Sequence, residues 1–186
     1  MDNAMSPLQP LRAVIQNRRQ KAYERAELRQ LAGGIVRTLL VLALLAALFH
    51  IWFGLRIVHG NQMYPALLDG DLTLTYRVDE YVKKDVIFYT AEGQTLVGRV
   101  VARSGDLVQI SESGVLTVNG TPQTDESIYP TFPGENWPGS LQVPEGCVYV
   151  LGDYRINAVD SRQLGCIPLE QVQAKVIGLL LRHRGI

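Results

Sequence analysis

From Thr38 to Leu55 the chain reads TLLVLALLAALFHIWFGL, eighteen residues without an Asp, Glu, Lys or Arg. At helical rise this run spans roughly 27 Å, against about 30 Å for the hydrocarbon core of a bilayer. A chain of 186 residues built around such a run divides into an arm, a span and one domain of ordinary size. The expected boundaries are a basic arm at 1–37, a transmembrane helix at 38–56 and an external domain at 57–186. Arg37 and Arg56 can snorkel at the two ends, and Trp52 suits the interface. His50 within the run keeps open the reading of a buried core helix. A cleaved signal peptide fits less well, because residues 1–37 precede the run and the run is long for an h-region.

The formal net charge is zero, but residues 1–37 hold seven of the eighteen basic side chains and three of the eighteen acidic ones. The positive-inside rule therefore keeps the arm in the cytoplasm and sends the domain across the plasma membrane, a single-pass topology. Glu24 and Glu27 interleave with the arginines of the arm, which argues against a nucleic-acid partner. Residues 11–32 allow an amphipathic helix before the anchor, and a solvated arm is equally open. Outside the cell an oxidising compartment permits a bridge between Cys147 and Cys166. Cys147 lies in an apolar strand pattern, where a buried free thiol is common, so the pairing stays open. No CxxC metal or redox signature is present, and no metal site or cofactor is expected.

Beyond the anchor the hydrophobic period changes to that of strands. Asp71–Tyr76 alternates, and Asp85–Tyr89 is a short apolar run. Thr95–Ala102, Leu107–Ile110, Val115–Val118, Cys147–Leu151 and Ala174–Leu181 read likewise. Gly114 and Asn119-Gly120 mark hairpin turns. The class is mainly β, an antiparallel sheet or partly closed barrel, with one short helical candidate at Leu169–Val172. Thr121–Glu145 is a long irregular loop, either functional or packed down on Tyr129, Phe132 and Trp137.

Three segments carry the functional signal: Gly60-Asn61-Gln62-Met63-Tyr64-Pro65, then VGRVVARSGD from Val97 to Asp106, then GDYRINAVDSRQLG from Gly152 to Gly165. Together, behind an anchor and in this order, they resemble the type I signal peptidases, membrane-bound serine proteases with a Ser/Lys dyad. The dyad works because a desolvated lysine amine has a lowered pKa and takes the serine proton at neutral pH. The resemblance places the nucleophile in a Ser-Met-x-Pro turn, the base in a Val-Lys-Arg-Val strand, and a lysine-orienting serine in an Asn-Ser-x-Asp-Ser-Arg segment. Here those positions are Gln62, Gly98 and Ala158. None of the three can do the chemistry.

The resemblance leaves the scaffold intact. Asp153, Arg155, Asp160 and Arg162 match its structural motif, with Asp160 and Arg162 as an ion pair. It implies a groove for an extended peptide lined by Asn61, Gln62, Met63, Pro65, Val97, Gly98 and Arg99, which needs neither Ser nor Lys. Gln62 would hydrogen-bond a bound peptide or plug the groove. His59, Lys83, Lys84, Ser104, Ser161 and Lys175 do not rebuild a dyad by sequence position. The chain also resembles the dyad-less signal-peptidase-like proteins of Gram-positive pilus gene clusters. That implies a non-catalytic chaperone or scaffold for exported subunits such as pilins, beside a sortase. An active signal peptidase with an atypical mechanism, and a partner that blocks or pairs with a true peptidase, are the alternatives.

Overall fold

A computed structural model of the chain describes residues 9–77, 80–123, 129–135 and 137–183, with the backbone alone for 9–17 and 19–27. Most charged side chains of the arm, and loop residues 124–128 and 136, therefore lie outside the described set. The chain separates into two compact units, 1–50 and 51–186. Helix α1 runs Gln9–Trp52, so the arm from Gln9 onward and most of the apolar run form one helix. Within it Leu28–Trp52 is long and apolar enough to cross a membrane, and none of that stretch is buried.

The helix ends earlier than the apolar composition suggests. Strand β1, Phe53–Ile57, pairs along its whole length with β2, Leu72–Tyr76, from Phe53 opposite Tyr76 to Ile57 opposite Leu72. Gly54 permits that approach: a Cβ there would lie 2.9 Å from Thr75 Oγ1, and the same hydroxyl donates to Gly54 O at 3.0 Å. Arg56 is thus a strand residue of the domain and not the end of the anchor. The apolar run crosses from helix to strand with no turn residue to mark the border, which is why composition overshoots it.

The remaining elements are β3 Val86–Ala91, β4 Gln94–Arg103, β5 Leu107–Ile110, β6 Leu116–Val118, β7 Thr121–Pro122, β8 Ser140–Gln142 and β9 Cys147–Leu151. After them come α2 Ser161–Leu164, β10 Ile167–Pro168, a 3-10 turn at Leu169–Gln171, and β11 Val172–Leu181. They form a seven-stranded sheet, β1-β2-β11-β3-β4-β9-β10, and a four-stranded sheet, β7-β6-β5-β8. Every pairing is antiparallel. Among the described residues β1 and β10 do not pair, so the large sheet is curved but open. Asn119 and Gly120 both take positive φ, 54° and 77°, as a two-residue hairpin between β6 and β7 requires. The long loop is partly structured: β7 and β8 lie in it, Trp137 packs 6.1 Å from the Tyr149 ring, and Tyr129 sits 5.0 Å from Tyr154.

Alternation decides which side chains go inside, and β4 serves both faces of the sheet. Val100 joins Ile87, Tyr89, Val148 and Val150 in one core cluster. The register with β9 then slips by one residue between Val100 and Ala102, a bulge that sends Val101 and Ala102 together into a second cluster with Val108, Ile110 and Leu151. A third cluster of Val58, Met63, Leu67, Phe88 and Val97 lies beneath the Gln62 turn. Burying one such side chain contributes about 1.5–3 kcal/mol, so the turn is held by packing from below.

Candidate functional site

Met63 explains why the turn before Pro65 keeps its shape. Its side chain is fully buried in the third cluster, and Leu67 N donates to Met63 O at 3.0 Å. Tyr64 N donates to Asn61 O at 3.1 Å, and Gly60 N to Asp69 Oδ1 at 2.7 Å. The turn is then tied to the end of β9. Tyr154 N donates to Gln62 O at 2.9 Å, and the Tyr64 and Tyr154 rings meet edge to face at 5.9 Å.

The three altered positions converge on Leu151–Gly152. A Cβ on Gly152 would lie 2.4 Å from Ala158 Cβ and 2.7 Å from Gln62 O. A Cβ on Gly98 would lie 2.5 Å from Val150 Cγ1 and 3.4 Å from both Leu151 O and Tyr89 Cε1. The first figure is below any ordinary carbon contact, and Val150 is a stiff, β-branched, fully buried neighbour. The space beside Gly98 is therefore filled by the protein's own core. Gln62 Oε1 is buried and, among the described residues, without a hydrogen-bond partner.

Burial, and after it the Asp160 carboxylate, push the Tyr89 phenol far above its usual range, so it stays protonated and cannot accept a proton at neutral pH. Lys175 is paired with Asp85 at 2.6 Å and Lys83 with Asp106 at 3.2 Å. The Ser104 hydroxyl donates to Cys147 O at 3.2 Å, and the buried Ser161 Oγ accepts from Val150 N at 2.9 Å. His59 is exposed. Among the described residues no serine hydroxyl is hydrogen-bonded to a lysine or histidine.

Charge pairs hold the frame. Arg99 donates to Asp153 from Nε at 2.8 Å and from Nη2 at 2.6 Å, a bidentate pair reaching from β4 to the residue after Gly152. Arg162 donates to Asp160 from Nε at 2.8 Å and from Nη2 at 2.9 Å. Asp160 Oδ2 also accepts from Gly152 N at 3.1 Å, and its carboxylate caps α2. Arg155 Nε donates to Gly152 O at 2.7 Å, and its Nη1 to the Thr131 hydroxyl.

On the other face of β3 and β4 lies a cleft of about 210 Å³ lined by Arg56, Ile57, His59, Phe88, Thr95 and Val97. Of the residues expected to form a groove, Val97 lines this cleft. Asn61 and Pro65 are exposed, Met63 is in the core, Gly98 faces Val150, and Arg99 is engaged with Asp153. Arg56, Ile57, His59, Phe88 and Thr95 were not expected there. The signal in the sequence was a lone arginine within an alternating apolar strand.

Cys147 and Cys166 are free, on the neighbouring strands β9 and the approach to β10. Burial, and then the negative charge of Cys147 once ionised, raise the Cys166 thiol from 9.0 to about 11. The folded state thus holds this proton more tightly than the unfolded chain does. Its contribution to stability is complete below pH 9.0 and is lost as pH rises through about 11. Iodoacetamide should accordingly modify Cys166 at pH 8 about a hundredfold more slowly than an unhindered thiol, the rate rising roughly tenfold per pH unit. Peptide mapping after timed quenching reads this directly, and a rate equal to the unhindered thiol's would contradict it.

With the geometry in hand, known proteins bear on it. The family model described as signal peptidase, peptidase S26, matches residues 31–180. The chain belongs to that family. It is 30% identical to signal peptidase I of Bacillus caldolyticus over 67% of this chain and 77% of that one. With thylakoidal processing peptidase 1 of Arabidopsis thaliana it shares 27% over 66% of this chain and 40% of that one. A signal peptidase I structure from Enterococcus faecalis V583 covers 53% of this chain and 98% of that chain, at 23% identity and a TM-score of 0.45.

Proposed function

We propose that this member of the signal peptidase family is a membrane-anchored, non-catalytic binder of extended segments of exported proteins, acting as their chaperone or scaffold. The observation that carries the reading is Gly98. Its missing side chain is not a vacancy that a rotamer could refill, because Val150 and Tyr89 pack against it. A lysine amine would need that space and would have to be desolvated there, at a cost of several kcal/mol. Gln62 supports the same reading. Its buried oxygen has no hydrogen-bond partner among the described residues, a deficit of about 1–3 kcal/mol that rotation of the side chain toward a bound segment's amide would relieve.

The anchor is helix α1, whose Leu28–Trp52 stretch has the length and composition of a span, with the arm inside and the domain outside the cell. The partners are exported subunits, pilins assembled beside a sortase among them. The support for that finer assignment is the likeness to dyad-less proteins of pilus clusters. The test is cleavage of an exported preprotein by the purified full-length protein in detergent, beside an authentic signal peptidase. No product above the blank is expected, while the same preprotein is retained on immobilised protein. Cleavage after an Ala-x-Ala-like site, absent from mock-purified membranes, overturns the reading in favour of an active peptidase of atypical mechanism.

A further inference from the structure

The cleft beside β1 and β4 contains a charge that no described residue counters. Arg56 enters its wall from β1, with the guanidinium carbon 5.4 Å from the centroid of the Phe88 ring and Nη1 donating to Gln173 Oε1. Gln173 is itself fixed, its Nε2 donating to Thr90 Oγ1 at 2.6 Å. The head group is thus oriented by neutral groups, and among the described residues most of its five N–H donors have no partner. Among the described residues no carboxylate pairs with Arg56. The acids at the starts of the adjoining strands are taken: Asp71 faces Arg182 at 3.8 Å and Asp85 holds Lys175 at 2.6 Å. Burial, and after it the like charge of Arg77, make the Arg56 cation harder to hold.

The backbone around the cleft is equally unpaired. β1 is an edge strand, with β2 as its one neighbour. β4 pairs with β3 from Gln94 to Arg99, but its pairing with β9 begins at Arg99, so residues 94–98 have a free edge on that side. The cleft lies between these two edges, Ile57 and His59 from one side and Thr95 and Val97 from the other. A segment entering in extended form finds main-chain partners on both edges. An internal stretch of chain presents a side chain, and not a terminus, to Arg56.

We infer that the cleft selects an exported segment bearing an aspartate or glutamate, whose side-chain carboxylate meets Arg56. This rests on the peptide-binding reading above and names the class of segment bound. A carboxylate brought to a half-buried guanidinium makes short, charge-assisted hydrogen bonds and supplies the counter-charge that the site lacks.

The test uses full-length protein in detergent and short, fluorescent, C-terminally amidated peptides with Asp, Asn or Lys scanned through an alanine-rich host. At one guest position the Asp peptide should bind about tenfold tighter than its Asn isostere, and the Lys peptide weakest. Arg56→Gln should abolish the difference between the Asp and Asn peptides, and Arg56→Lys should retain part of it. A melting curve checks that both variants are folded. Equal binding of Asp and Asn peptides at every position, or a preference that survives Arg56→Gln, overturns the inference alone. Failure of every peptide to bind folded protein overturns the groove reading and this one with it. Recovery of the tenfold by an Asn peptide with a free C-terminal carboxylate would overturn the assignment to a side chain.

Discussion

Replacing Asp160 with alanine should lower the unfolding free energy of the domain by about 3–5 kcal/mol. The carboxylate is 1% exposed and the Arg162 side chain 8% exposed, so this ion pair is nearly dry. Asp160 Oδ1 accepts from Arg162 Nε and from Arg162 N, at 2.8 and 3.1 Å; Oδ2 accepts from Arg162 Nη2 and from Gly152 N. Removing it leaves a buried cation and an amide with no acceptor, which costs far more than the pair contributes net. The α2 N-cap is lost as well, about 1 kcal/mol. Asp160→Asn, which keeps a capping oxygen but not the charge, should fall between the two. Urea unfolding followed by tryptophan fluorescence measures both, and an alanine variant within about 1 kcal/mol of the parent would refute the assignment. Because Gly152 N is one of the freed donors, the loss reaches the site, where Tyr154 N holds Gln62 O.

The second large effect is expected from placing a lysine at position 98. Gly98→Lys forces a Cβ to within 2.5 Å of Val150 Cγ1 unless one of them moves. Overpacking of this kind costs about 1–3 kcal/mol. Desolvating the amine adds several more, unless its pKa falls far enough to leave it neutral. The triple variant Gln62→Ser, Gly98→Lys, Ala158→Ser should therefore melt well below the parent and leave a preprotein uncut. Adding Val150→Ala, which removes the clashing methyl groups, should return part of the stability. Thermal melts and a preprotein cleavage assay decide it together. A triple variant that melts with the parent and cleaves at the signal site would mean that the packing around Gly98 is no obstacle.

Strands were readable in the sequence wherever a side-chain period of two was bounded by Gly, Asn, Asp or Pro. Leu107–Ile110 and Cys147–Leu151 coincide with β5 and β9, and β4 and β11 extend the expected runs by one or two residues at an end. Elements set by tertiary partners were not readable. β1 has no border with the helix before it, β10 is two residues held by β9, and α2 is a single turn made by its Asp160 and Gln163 capping box. At the site, Gln62, Gly98 and Ala158 were singled out because each departs from the motif that its segment resembles. Their convergence on Leu151–Gly152 was not, since residues 62, 98 and 158 meet there only through the end of β9. The Arg99–Asp153 pair, 54 residues apart, and the inward course of Arg56 are likewise products of the fold.

The contact between Gly98 and Val150 also couples the two positions. Val150 in its present rotamer leaves no room for a side chain at position 98 unless one of them moves. A larger residue at 98 is therefore accommodated only together with a smaller or differently turned residue at 150, so the two positions vary as a pair and not singly.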